Sequence, residues 1–162
     1  MEDLERYLGE VVEPTIKELE ANRTSVRHAF VACVVTFHAV DYLAYPKRKR
    51  SRMLREQFNR ESRAFAIVDD VAHAFKHVVA GNPAKPDLMA SDVISRPPGV
   101  WGVAQWDVSR WDDAVGGVTL DNDRNVDLYE VVLEAAAFLR GKVGVGGADK
   151  GEELATAEAQ DE

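Results

Sequence analysis

Apolar positions recur at helical spacing in four stretches of this chain and lose that period in a fifth. The first stretch, Met1–Asn22, places Leu4, Leu8, Val11, Val12, Ile16 and Leu19 on one stripe with charges between them. Pro14 interrupts it and predicts either a fresh helix start or a kink. The second stretch, Ser25–Tyr45, reads SVRHAFVACVVTFHAVDYLAY and is apolar on nearly every side. Such a helix is expected at the centre of a fold. Thr24 or Ser25 is its N-cap, and the residue before Pro46 ends it. The third, Ala64–Ala80, offers Phe65, Val68, Val71, Ala72, Phe75, Val78 and Val79 as a core face, with Gly81 placed to cap it. The last, Asp127–Lys142, starts at a capping Asp127 with Glu130. It buries Leu128, Val131, Val132, Ala135, Phe138 and Leu139.

Between the third and last stretches, prolines and glycines punctuate short β-leaning runs at Asp92–Ser95, Val100–Val108 and Val115–Leu120. These predict a small antiparallel sheet or hairpin. Trp101, Trp106 and Trp111 recur every five residues, which fits neither a strand face nor a helix face. They are expected to pin the sheet to the core. The predicted fold is mainly α: three or four helices packed around Ser25–Tyr45, with a β-hairpin insert at about residues 92–120 before the last helix. Residues 1–142 form one domain. Residues 143–162 are expected to be a disordered acidic tail, too poor in apolar side chains to offset ordering entropy.

Composition narrows the picture. A chain of 162 residues can build one real core. The net charge of −8 excludes a surface that is basic throughout. Basic residues concentrate in one run: Lys47, Arg48, Lys49, Arg50, Arg52 and Arg55, then Arg60 and Arg63. This is either a solvated face or a patch able to contact the phosphates of RNA. The lone Cys33 allows no internal disulfide and reads as a core residue. The acidic, polar N-terminal stretch is not expected to act as a signal peptide. The apolar run is broken by His38 and Asp41, which fits a buried helix better than a membrane span. A soluble cytoplasmic protein without membrane contact is expected, with a homodimer as one option.

The candidate chemistry lies on two helices. His38 and Asp41, three apart, share a face of the second stretch. Asp69, His73 and His77 step by four along the third, with Asp70 beside them. Imidazoles and carboxylates projecting from facing helices can hold one divalent metal, Zn, Fe, Mn or Ni, with an open position. Here His38, Asp41, His73 and His77 would be ligands, and Asp69 a ligand or the partner that fixes an imidazole. The competing expectation is a hydrogen-bonded seam without an ion. The turn Asp121–Asn125 lacks the glycine and terminal glutamate of a calcium loop.

Two resemblances add to this. FHAVDYL, then DVAHAFKH, a glycine-broken β segment and a closing VVLEAAAFLR helix resemble a group of uncharacterised bacterial proteins. That similarity spans most of Ser25–Lys142. It implies the architecture, with His38, Asp41, Lys76 and His77 as signature residues, but implies no activity. Arg23 and His28, as Arg-x-x-x-x-His, resemble the RNA-cleaving motif of HEPN-family helical proteins. That likeness implies a histidine activating a ribose hydroxyl and an arginine stabilising phosphate. A third expectation is an interaction module with no chemistry, marked by an exposed apolar patch or self-association.

Overall fold

The computed structural model describes residues 2–45, 50–77, 88–121, 123 and 126–143. The fold is mainly α, with a two-stranded antiparallel hairpin before the last helix. The first stretch is one bent helix in three pieces: α1 (Glu2–Tyr7), a π-helical turn (Leu8–Val12) and α2 (Glu13–Ala21). Pro14 falls at the start of α2, where its missing N–H costs least. The wider turn just before it carries the bond from the Glu13 N–H to the Leu8 carbonyl.

Helix α3 (Val26–Ala44) begins at Ser25, whose hydroxyl accepts the His28 N–H. It packs against α2, α4 (Arg50–Glu61), α5 (Arg63–His77) and α6 (Leu128–Gly141). It is the centre of the fold, but it is not buried all round. Its inward face is built mostly of small side chains, Ala29, Ala32, Cys33, Thr36, Ala39 and Ala44, with Phe30 and Val40. Small residues let the neighbouring helices close in. Val31, His38, Asp41 and Tyr42 form an outward stripe. By length and composition α3 is apolar enough to cross a bilayer.

Phe58, Phe65 and Phe138 bring α4, α5 and α6 together through ring contacts at 5.3–6.3 Å. Phe58 and Phe65 are buried and each stabilises by roughly 1.5–3 kcal/mol, while Phe138 is half-buried at the edge. Cys33 lies in the same core, and burial pushes its thiol up to about 12. It is therefore an inert packing residue. Phe75, expected in the core face of α5, is 54% exposed and leans on Phe30. Val78, Val79 and the capping Gly81 lie outside the described residues.

Strands β1 (Val93–Arg96) and β2 (Gly117–Leu120) pair with Val93 opposite Leu120 and Arg96 opposite Gly117. The hairpin rests on α6 and α3. The run Val100–Val108, expected to be a strand, is a series of turns. Gly102 and Asp107 both adopt positive φ there, which breaks an extended chain. Val143, the first residue of the segment expected to be disordered, is buried against the core. Residues 144–162 lie outside the described residues.

Candidate functional sites

Three groups of side chains carry chemistry beyond packing. The first is the seam where α3, α4 and α5 meet. His38 Nδ1 lies 3.2 Å from Asp41 Oδ2, as one turn of helix dictates. Both side chains are more than half exposed, at 53% and 57%. Although α3 is the central helix, they sit on its outward stripe and pair with each other. His73, one turn along α5 from Asp69, donates from Nδ1 to the Asp69 carbonyl at 2.8 Å. The same nitrogen lies 3.0 Å from Asp69 Oδ1, off the line of its N–H. Asp69 Oδ2 accepts a 2.6 Å bond from Asn59 of α4. Phe37 stands between the two histidines and meets each ring edge-on, at 5.3 Å from His38 and 5.2 Å from His73. His77 follows one turn after His73, their ring centres 6.2 Å apart and 27° from parallel. Among the described residues, no three histidine, cysteine or acidic side chains converge on one point that could hold a metal.

Arg55 of α4 closes the seam with its guanidinium 5.2 Å from the Phe37 ring centre. Arg52 pairs with Glu56 at 3.0 Å. The basic run is thus partly engaged within the protein. Lys47, Arg48 and Lys49 lie outside the described residues, and the structure describes no side chain for Arg50.

The second group is an ion network that the sequence did not announce. Arg23, in the α2–α3 loop, donates to Asp127 Oδ2 at 2.9 Å and lies flat on Tyr129, 3.9 Å from its centre. Arg96, at the end of β1, reaches the same Asp127 oxygen at 3.3 Å and Asp113 Oδ2 at 2.8 Å. Asp127 Oδ1 meanwhile caps α6 by accepting the Tyr129 N–H. Two guanidinium groups thus face Asp113 and Asp127 where the two helix starts and the hairpin meet, with the exposed Glu130 3.7 Å from Arg23 at the edge. His28 is bonded from Nδ1 to Ser25 Oγ at 2.7 Å. Arg23 is only 16% exposed and engaged with Asp127. A cleft of about 460 Å³ opens beside the network. Arg63, Asp123, Glu130 and Glu134 line it with the apolar Ile67 and Val126. Asp127 carried a local signal, as the cap of the last helix. Nothing in the sequence links Arg96 to either acid.

The third group is the segment 97–116 between the strands. Its base is closed by the Gly99 N–H on the Asp113 carbonyl at 2.7 Å. Asp113 Oδ1 accepts the N–H groups of Val115 and Gly116, while Oδ2 faces Arg96. On this base stand Trp101, Trp106 and Trp111, exposed by 94%, 84% and 64%. Their expected role as core anchors is corrected: they touch one another, with ring centres 6.4 Å and 5.9 Å from Trp111. Val103 and Val115 are exposed with them.

No family model matches this chain, and neither a curated protein nor a solved structure is similar to it.

Proposed function

We propose that this chain is an interaction module that self-associates through its tryptophan loop. One observation carries the reading: three tryptophans face solvent from a loop that a buried ion network holds in place. Apolar side chains left in water on a flexible segment would collapse onto the surface. Here the loop is fixed at its base by Arg96, Asp113 and Gly99, so the rings stay presented. Rigid aromatic groups offer large contact area at low entropic cost.

The three rings expose on the order of 400–600 Å², the upper range for a lone surface patch. With Val103 and Val115 they supply most of the ~800 Å² that each partner of a stable complex buries. A second copy of the chain fits this surface. An apolar patch is complementary to itself across a two-fold axis. Arg110 and Asp112 stand beside the rings, 3.4 Å apart, so a two-fold partner can set each charge against its opposite.

All three tryptophans of the chain lie in this loop, so selectively excited tryptophan fluorescence reports on it alone. Sedimentation equilibrium of the full chain is expected to show a monomer–dimer equilibrium. Tryptophan emission should shift to the blue as concentration rises. Trp106→Ala with Trp111→Ala should leave a folded monomer. A wild-type chain that stays monomeric with water-exposed emission, or a dimer indifferent to both substitutions, overturns the reading.

A further inference from the structure

We propose that α5 carries a two-imidazole site for a late divalent transition metal of the zinc class. His73 and His77 are its ligands, and Asp69 is the residue that positions His73. The proposal does not depend on the tryptophan loop.

The argument starts from the tautomer of His73. Both atoms near its Nδ1 are acceptors, the Asp69 carbonyl at 2.8 Å and Asp69 Oδ1 at 3.0 Å. Nδ1 therefore carries a proton, and in the neutral ring the lone pair is on Nε2. This is the arrangement in which metal-binding histidines are held, the far nitrogen donating to a carbonyl or carboxylate. The carboxylate is itself anchored. Asn59 donates to Asp69 Oδ2 at 2.6 Å, and the Asp69 side chain is only 14% exposed. Asp69 Oδ1 is buried without a hydrogen bond of its own, so a negative charge faces the ring from behind. That charge favours a cation on the opposite nitrogen. Phe37 meets the His73 ring edge-on and limits its rotation.

His77 supplies the second nitrogen. A spacing of four sets both rings on one face of the helix. The centre of a coordinated imidazole stands about 3.2 Å from a zinc ion, so two rings sharing one tetrahedral ion have centres about 5.2 Å apart. The observed separation of 6.2 Å is about 1 Å wider, a gap that the exposed His77 ring closes by turning inward about its own side-chain bonds. Two protein nitrogens leave two tetrahedral positions for water or for a donor on a bound molecule. His38 is excluded from the set, because it is paired with Asp41 and no third histidine or acidic side chain converges on these two among the described residues.

The test is calorimetric titration of the untagged full chain with Zn²⁺ alone. One ion per chain is expected. Affinity should fall at least tenfold in His77→Ala, an exposed position whose substitution leaves the fold intact, and likewise in His73→Ala. His38→Ala should bind as the wild type does. Asp69→Asn should bind ten- to a hundredfold more weakly. Nitrogen-15 spectra of the wild type should show the His73 Nδ1–H tautomer before metal is added and a shifted Nε2 after it. Absence of binding, binding that survives His77→Ala, or binding that is lost in His38→Ala overturns the proposal. So does a free His73 that carries its proton on Nε2.

Discussion

Arg96 Nη1 lies 2.8 Å from Asp113 Oδ2 with the arginine side chain 95% buried, and this pair closes the tryptophan loop onto the helices. A guanidinium taken so far out of water is tolerated only among opposite charges. Replacing it with an apolar chain of similar length leaves Asp113 and Asp127 facing each other without their shared cation. Arg96→Met is expected to destabilise the protein by about 3 kcal/mol. Urea unfolding monitored by circular dichroism measures this directly.

Acid should act on the same pair. Burial tends to raise the Asp113 pKa, but the N–H bonds from Gly116 and Val115 and the charge of Arg96 outweigh it. The net effect is a carboxyl below its ordinary range. With the folded value lowered, the unfolded chain takes up the proton first as pH falls. The stabilisation is thus fully present above the unfolded value near ~4 and is lost as pH drops through the folded value. Asp113→Asn is expected to flatten the fall of the urea midpoint between about pH 5 and pH 3 relative to wild type.

Two glycines in the loop separate conformation from crowding. Gly102 has φ +83° with open space around a would-be Cβ. Gly116 has φ +76°, and its Cβ would stand 2.6 Å from the Arg96 carbonyl oxygen. Gly102→Ala is expected to cost about 1 kcal/mol, the strain of a left-handed L-residue alone. Gly116→Ala should cost about 2–3 kcal/mol, because the strand end must also move. Equal urea midpoints for the two variants would contradict this difference.

What was legible in the sequence was mostly local. Ser25 and Asp127 cap their helices as their side chains predict, because the donor and acceptor are three residues or fewer apart. The core face of α6 follows from spacing alone. The outward place of His38 and Asp41 is hidden in the sequence because the inward face of α3 is made of small residues and its outward face carries Val31 and Tyr42. Average hydrophobicity does not reveal which of two apolar faces packs; side-chain volume does. The tryptophans were misplaced for a different reason. Their hydrophobicity argues for burial, but the pairing of Arg96 with Asp113, 17 positions apart, closes the loop before it can reach the core. The Arg23–Asp127 pair spans 104 positions, and no local pattern announces a contact of that range. For the histidines, spacing correctly put His73 and His77 on one side of α5, while the place of Phe37 between His38 and His73 needed coordinates.

The π-helical turn at Leu8–Val12 has a further consequence for the first helix. Its buried residues Leu4, Leu8, Val12, Ile16 and Leu19 are spaced four, four, four and three. Each step of four overshoots a regular turn by about 40°, so three in succession would carry the stripe about 120° around an α-helix and away from α3. The wide turn absorbs one residue and reels the stripe back. Removing the exposed Gly9 would leave the spacing four, three, four, three, the ordinary repeat of a helix lying on a neighbour. The bend beside Pro14 is thus the trace of a single surplus residue, and this helix can lose that residue without turning its apolar face to water.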